Sequence, residues 1–299
     1  MKLPDKVKIV EVGPRDGLQN EITSITTEIK VELIERLANA GVKFIEAAAF
    51  VSPRWVPKMA DSGEVMNRVN RQSNVVYSAL TPNLKGFYAA LEAKVDEVAI
   101  FAAASETFSE RNINCSIDES LQRFNQVTEA AKRARLPVRG YISCVLGCPY
   151  EGPISVDAVV SVARSLEQIG CHEISLGDTI GTGTPAEAQS LIKGVSKVIP
   201  IERIAVHFHD TYGQALANIL ASMEIGVSVI DSSISGLGGC PYAKGASGNV
   251  ASEDVLYMLH GLGIQTGIDL NVMIETASFI SKTLGRSSDS KVTRAKIEA

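Results

Sequence analysis

Strand-like runs alternate with helical patterns along the whole 299-residue chain, and this alternation constrains its fold more than any other feature. The runs are short and rich in apolar and β-branched residues, and the segments between them repeat apolar residues at helical spacing, as at Ile29, Leu33 and Leu37. The predicted strands are Lys8–Val12, Phe44–Phe50, Val75–Leu80, Glu97–Ala102, Val138–Val145, Glu173–Gly177, Ile204–His209 and Val229–Ile234. Because parallel strands need crossover connections, this order predicts an α/β fold with a parallel sheet.

Four helix-to-strand junctions resemble one another and indicate a repeated unit: ANAGVKFIEAAAF, LEAKVDEVAIFAA, EQIGCHEISLGD and MEIGVSVIDSSIS. Gly41, Gly170 and Gly226 stand where a helix needs a left-handed residue before the next strand, and Lys94 takes that place in the second junction. Eight such units favour a closed (β/α)8 TIM barrel. The alternative, an open doubly wound sheet, is disfavoured because no GxGxxG loop follows the first predicted strand.

We expect a single catalytic domain over residues 1–299, because no linker rich in Pro, Ser or Gly divides the chain. Beyond the eighth predicted strand, helical patterns around Ser252–His260 and Leu270–Leu284 predict an extra C-terminal helical segment. The last residues, about 286–299, are polar, and we expect them to form a loose tail.

Composition and charge narrow the class of partner. Basic residues number 29 against 34 acidic residues, which gives a net charge of −5 and argues against nucleic acid or an anionic membrane as partner. No signal peptide or membrane span is evident, and the five cysteines are few and odd in number, as in a reducing compartment. We therefore expect a cytoplasmic protein that binds small molecules and forms a homo-oligomer, a dimer, with the apolar segment Val272–Ile280 as a candidate contact.

Polar residues collect where the predicted strands end, which is the catalytic face of a TIM barrel. His207 and His209 lie two positions apart on a strand and share a face, which suits a metal ion better than a structural histidine pair. Asp16 could complete the site or simply cap a turn, and Asn249 could add a neutral oxygen. Nitrogen and oxygen donors favour Mg²⁺ or Mn²⁺, although zinc also accepts these ligand types.

Four further residues are candidates for the chemistry. Arg15 is either half of a surface ion pair or a charged fork aimed at a carboxylate or a developing oxyanion. Glu46 lies in an apolar strand, so we expect it to face the barrel interior with Arg15 as its partner. Cys240 is the only cysteine in a Gly-rich loop, where a thiol could donate a proton, and Asp178 directly follows the sixth predicted strand.

Three motifs span most of the chain in a familiar order: VGPRDGLQNE, HFHD and GLGGCPYAKGASGN. Together they resemble the 3-hydroxy-3-methylglutaryl-CoA lyase family, which belongs to a superfamily of metal-dependent barrel lyases and Claisen-type synthases. The synthases typically carry an acidic residue where this chain has Leu18, and they lack an equivalent cysteine loop.

The resemblance implies cleavage of 3-hydroxy-3-methylglutaryl-CoA to acetyl-CoA and acetoacetate with the help of a divalent metal ion. The implied metal ligands are Asp16, His207, His209 and Asn249. Arg15 would bind the substrate thioester, Cys240 would be the catalytic thiol, and Glu46 and Asp178 would be supporting acids. The base for the substrate hydroxyl is either Asp178, acting through water, or His207.

Two other functions stay open at this point. One is a Claisen-type synthase that joins a 2-oxo acid to acetyl-CoA, and the other is a non-catalytic barrel that binds a metal or an organic acid.

Overall fold

A computed structural model describes residues 3–239 and 248–297, and within them eight parallel strands close into a barrel. The strands are β1 Lys8–Glu11, β2 Phe44–Ala49, β3 Val76–Leu80, β4 Glu97–Ala103, β5 Val138–Ser143, β6 Glu173–Asp178, β7 Ile204–Phe208 and β8 Val229–Ser232. Each strand pairs with the next along the chain, and β8 pairs with β1 to close the ring. The predicted (β/α)8 barrel is confirmed, with each strand within a few residues of its expected bounds.

Helices cover the outside of the barrel and extend beyond its last strand. They are α1 Leu18–Asn20, α2 Thr27–Asn39, α3 Ser62–Arg68, α4 Leu84–Glu92, α5 Glu106–Ile113, α6 Ile117–Ala134, α7 Val156–Gln168, α8 Pro185–Val195, α9 Ala215–Ile225, α10 Ser252–Gly261, α11 Leu270–Leu284 and α12 Lys291–Ile297. Short 3-10 turns occupy Pro57–Met59, Ile201–Arg203 and Ile234–Gly236. The two helical segments predicted after the eighth strand are present as α10 and α11.

The backbone at the repeated helix-to-strand junctions is left-handed, as the sequence predicted. The φ angles are 101° at Gly41, 107° at Gly170 and 115° at Gly226. Lys94, the one non-glycine residue of the four, takes the same turn with a φ of 57°. A left-handed residue lets the chain leave the helix and enter the next strand directly.

Alternation along the strands divides the side chains into two sets. Ile204, Val206 and Phe208 on β7 are fully or almost fully buried and belong to the large apolar core between barrel and helices. The other face of β7 carries Ala205 and His207, which point into the barrel. The barrel interior is therefore the side on which polar strand residues meet.

The polar C-terminal segment is packed, so the expectation of a loose tail is wrong for residues 286–297. Ser290 Oγ donates to Asp254 Oδ1 at 2.7 Å, and Thr293 Oγ1 donates to Glu253 Oε1 at 2.7 Å. Ser290 and Thr293 are fully buried. The segment is polar because its hydroxyls satisfy buried carboxylates of α10, a role that hydropathy alone does not reveal.

The apolar segment Val272–Ile280 lies on α11. Met273, Ala277 and Ile280 on α11 are fully buried within this one chain, where they join the main core. Much of the apolar face of the helix is thus covered within the chain, while Val272 and Phe279 are only partly buried, and the subunit contact there stays a prediction. In the described ranges, no helix is long and apolar enough to cross a membrane.

Candidate active site

Asp16, His207 and His209 converge at the end of the barrel where the strands finish. One ligand atom from each of the three side chains lies within 4.8 Å of those of the other two. His207 Nε2 is 3.8 Å from Asp16 Oδ2, and the two imidazole centroids are 5.5 Å apart. His207 belongs to β7 and His209 follows it directly, so strand alternation aims both rings to one side. The predicted meeting of these three residues is present.

Asp16 reaches the cluster through a π-helical turn, Gly13–Gly17, that begins just after β1. Its amide donates to the carbonyl of Val12 at 2.8 Å, which turns the side chain over the barrel mouth. Asn249 lies beside it, and Asn249 Nδ2 donates to Asp16 Oδ2 at 2.8 Å and to the Leu237 carbonyl at 3.2 Å. The structure therefore brings Asn249 to the cluster as a donor to Asp16.

The protonation states of Asp16 and His209 fit a divalent cation. Although burial opposes it, the charges of Arg15 and His207 lower the pKa of Asp16 to about 2. Burial and the neighbouring His207 lower the pKa of His209 to about 4. At neutral pH the carboxylate is ionised and the His209 imidazole is neutral, as metal ligands must be. Burial opposes it, but Asp231 and Asp16 raise the pKa of His207, so a metal ion bound there would displace a proton.

One unsatisfied atom strengthens this fit. Nδ1 of His209 is buried and has no hydrogen-bond partner among the residues that the structure describes. A buried polar atom without a partner is costly unless a ligand or ion satisfies it. A carboxylate, two imidazoles and a nearby amide are the donors that a divalent ion would need here.

Arg15 and Glu46 form the ion pair that the sequence predicted. The guanidinium contacts Glu46 Oε2 through Nε at 2.8 Å and Nη2 at 2.6 Å, and its Nη1 contacts Asp16 Oδ1 at 2.8 Å. Glu46 is fully buried. Burial opposes protonation, but the two carboxylates raise the pKa of Arg15 further above its ordinary value. Arg15 is thus a fixed positive charge that adjoins the cluster.

Asp178 is not brought into this cluster. Gly177 is the register partner of His207, whereas Asp178 pairs with Phe208 and so points toward the helix layer. Its Oδ2 accepts from the Gly183 amide at 2.9 Å, while its Oδ1 is buried and has no partner among the described residues. Burial outweighs the loop amides and raises the pKa of Asp178 to about 6. The role of Asp178 as a supporting acid or as a base acting through water stays a prediction.

Two charged residues inside the barrel escaped the sequence analysis. Asp231 on β8 is the register partner of His207, and its Oδ2 lies 3.3 Å from His207 Nδ1. Arg139 on β5 donates hydrogen bonds to the carboxylate of Asp231 from both terminal nitrogens, at 2.7 and 3.0 Å. The signal that identified Glu46, a charge within an apolar strand, was present at both positions.

A cavity of about 890 Å³ opens above the cluster. Arg15, Asp16, His207 and His209 lie along its wall, together with apolar residues such as Leu80 and Phe101. Tyr141, another lining residue, meets His207 edge-on with ring centroids 6.0 Å apart. A cavity of this size has room for an organic ligand besides a metal ion.

Cys240 lies outside the described residues. The described positions that flank this loop are in contact, because the Asn249 amide donates to the carbonyl of Gly238 at 3.3 Å. The described residues Gly238 and Asn249 are thus in contact, and Asn249 lies next to the Asp16 carboxylate.

The comparison with known proteins agrees with this geometry. Residues 6–280 match the family model described as HMGL-like, which covers most of the chain. The chain belongs to the HMGL-like family.

Individual relatives of this HMGL-like chain resemble it over nearly its full length. The mitochondrial hydroxymethylglutaryl-CoA lyase of Gallus gallus is 58% identical, and the match covers 98% of each chain. The 3-hydroxy-3-isohexenylglutaryl-CoA/hydroxy-methylglutaryl-CoA lyase of Pseudomonas aeruginosa is also 58% identical, over 99% of this chain and 98% of the relative. A crystal structure of hydroxymethylglutaryl-CoA lyase from Pseudomonas aeruginosa superposes with a TM-score of 0.98 at 57% identity, covering 100% of this chain and 99% of the other.

Proposed function

We propose that this protein is a carbon–carbon lyase that cleaves 3-hydroxy-3-methylglutaryl-CoA to acetyl-CoA and acetoacetate. The observation that carries the proposal is the convergence of Asp16, His207 and His209 beside the Arg15–Glu46 pair. This convergence lies in a chain that resembles lyases of that name from end to end. An arginine at the ion site would also suit a barrel that only binds an organic acid, so the resemblance to lyases is what favours catalysis over binding alone.

Asp16, His207 and His209 would hold a divalent ion, which we propose to be Mg²⁺ or Mn²⁺, and Asn249 would join them or hold Asp16 in place. Such an ion, when bound, orients a hydroxyl and a carboxylate oxygen together and makes the hydroxyl more acidic. The protein's contribution is the fixed arrangement of donors around this position. It includes a carboxylate that stays ionised well below neutral pH.

Arg15 would stabilise the negative charge that develops on the thioester oxygen when the carbon–carbon bond breaks. That charge is absent from the substrate, so a guanidinium fixed in advance by Glu46 favours the transition state over the ground state. Cys240 would then protonate the carbon that leaves as the methyl group of acetyl-CoA. These roles for Arg15 and Cys240 are proposals from the motif and the chemistry.

The substrate hydroxyl also needs a base. His207 contacts Asp231 through Nδ1 and faces Asp16 through Nε2, so neither nitrogen is left to accept a proton when an ion is bound. Asp178 has an unpartnered Oδ1 among the described residues and a pKa raised to about 6. We therefore propose Asp178 as the base, and because its carboxylate points toward the helix layer it would act on the substrate hydroxyl only through water.

The decisive experiment measures acetoacetate released from 3-hydroxy-3-methylglutaryl-CoA. We expect turnover that stops when a chelator removes divalent ions, returns with Mg²⁺ or Mn²⁺, and falls sharply in Cys240→Ala. Cys171→Ala is the matched control, because Cys171 is a buried thiol that belongs to the core. Release of free CoA from acetyl-CoA and a 2-oxo acid, without cleavage activity, would instead identify a Claisen-type synthase.

We further propose that the protein acts in the cytoplasm as a homo-oligomer, and specifically a dimer. The cytoplasmic location rests on the few cysteines, odd in number, which are typical of a reducing compartment. Light scattering on the purified protein tests the proposed dimer, and a mass near 31.9 kDa would show a monomer and contradict it.

A further inference from the structure

We propose that Asp231 is a positioning residue that turns Nε2 of His207 toward the cation site. Asp231 lies on β8 at the inward position level with His207, and its side chain is completely buried. Its Oδ2 is 3.3 Å from His207 Nδ1, on the opposite side of the ring from Asp16. The inference rests on the proposed metal centre and adds to it a group that touches neither ion nor substrate.

The carboxylate of Asp231 is itself held in one orientation. Arg139 donates Nη2–H to Oδ1 at 2.7 Å and Nη1–H to Oδ2 at 3.0 Å, and Ser175 Oγ donates to Oδ2 at 2.8 Å. A two-pronged arginine contact fixes the plane of a carboxylate as well as its place. Asp231 is therefore a rigid acceptor, and the imidazole of His207 must meet it with the nitrogen that carries a hydrogen.

This contact decides which tautomer His207 adopts. A neutral imidazole has one N–H and one acceptor nitrogen. When Nδ1–H is committed to Asp231, Nε2 keeps its lone pair, and Nε2 is the atom that lies 3.8 Å from Asp16 Oδ2. Carboxylates placed behind metal-binding histidines in this way typically contribute about 10–100-fold to metal affinity.

The same ion network continues away from the site and supplies a control. Arg139 Nε donates to Glu173 Oε1 at 2.7 Å, and Lys8 Nζ donates to Glu173 Oε2 at 2.6 Å. Lys8 and Glu173 form the far end of this network, and Arg139 stands between them and Asp231. If the network only stabilised the fold, changes at either end should have similar effects on Mn²⁺ affinity.

The experiment compares two charge-balanced double variants. Asp231→Leu with Arg139→Met removes the positioning carboxylate together with its cation, so no single buried charge is left unpaired. Lys8→Met with Glu173→Gln removes the far ion pair and leaves Asp231, Arg139 and His207 in place. Affinity for Mn²⁺ is measured on the metal-free proteins by electron paramagnetic resonance. The His207 tautomer is read from ¹⁵N-histidine NMR at a pH where imidazole is neutral, in a chain with only 4 histidines.

We expect wild-type His207 to carry its proton on Nδ1. We expect the Asp231 and Arg139 double variant to bind Mn²⁺ about 10–100-fold more weakly, with the Nδ1–H tautomer no longer dominant. The Lys8 and Glu173 double variant should bind Mn²⁺ within about twofold of wild type and keep the tautomer.

Three results would overturn the inference. A wild-type His207 that carries its proton on Nε2 refutes it without any variant, so a failure of the variants to fold does not protect it. A folded Asp231 and Arg139 variant with wild-type Mn²⁺ affinity refutes it while leaving the metal centre intact. Wild-type protein that binds no Mn²⁺ refutes the proposed metal centre, and the positioning role falls with it.

Discussion

Arg15 shows how one side chain can be bound by several partners at once. Its guanidinium contacts Glu46 through two nitrogens and Asp16 through the third. Lysine carries the same charge but has no fork, so it cannot keep both carboxylates in place. The contacts of Arg15 therefore depend on the forked shape of the guanidinium as well as on its charge.

We expect Arg15→Lys to lower kcat by about 10²–10³, the cost of losing one fixed donor at a developing oxyanion. Steady-state measurement of acetoacetate release tests this. Arg36→Lys is the matched control, because Arg36 makes a half-exposed ion pair with Glu32 and should leave kcat unchanged. Wild-type turnover in Arg15→Lys would show that charge alone suffices.

Glu253 is a second residue whose surroundings matter, because they make the stability of the protein depend on pH. It is fully buried on α10, and burial raises its pKa to about 8, although hydrogen bonds from Thr293 and Ser235 oppose the effect. In the unfolded chain a glutamate has a pKa near its ordinary value of 4.5. Between these values the folded protein binds more protons than the unfolded chain, so this group's contribution to stability falls as pH rises.

Between pH 5 and 8, we expect the free energy of unfolding of wild type to fall by about 1–3 kcal/mol relative to that of Glu253→Gln. Urea denaturation at several pH values measures it. Glu32→Gln, on the surface, should show no such trend. A difference that stays constant with pH would mean that Glu253 does not change its proton occupancy on folding.

Residue-level prediction from sequence succeeded where one residue demanded a partner and failed where direction mattered. Glu46 had to be paired because an isolated charge in an apolar strand is costly, and Arg15 is its partner. Asp178 lies one position beyond the inward-facing Gly177, so it points away from the barrel. Successive residues on a strand point to opposite faces, so an error of one residue reverses the predicted direction of a side chain. The sequence does not predict strand ends to within one residue.

At the scale of elements, the helix-to-strand junctions were the most predictable feature. Gly41, Gly170 and Gly226 indicate a left-handed backbone through their residue type alone, and Lys94 adopts the same conformation without being glycine. The C-terminal helix α12 was missed because its one buried residue in the described range, Thr293, carries a hydroxyl rather than an apolar side chain. Periodicity detects apolar faces, and it cannot detect a face that is buried through hydrogen bonds.

These junctions provide a paired stability test. We expect Lys94→Gly to raise the free energy of unfolding by about 0.5–1 kcal/mol, because glycine adopts a positive φ without strain. Gly170→Ala should lower it by about 1–2 kcal/mol. No atom lies within 4 Å of a Cβ added at Gly170, so the cost there would come from the backbone alone. Thermal or urea denaturation measures both, and equal signs for the two variants would contradict the argument.

At the scale of the whole molecule, a bound ion should stabilise the fold. Anything that binds only the folded state raises stability with its concentration, by about 2.7 kcal/mol at 100 times its Kd. We expect Mn²⁺ at that level to raise the Tm of the metal-free protein by about 4 °C, given the size of the chain. Asp16→Asn should abolish most of the shift, whereas the surface variant Asp289→Asn should retain it. An equal shift in both variants would locate the ion elsewhere.

The closure of the barrel by β1 and β8 has a consequence for synthesis of the protein. Asp16 and Asn249 touch although they stand 233 positions apart in the chain. While the polypeptide is still emerging from the ribosome, its early aspartate has no histidines beside it, and only a finished ring supplies them. Ion uptake would therefore report that translation has passed the last strand, and a prematurely terminated chain could not acquire the ion at this place.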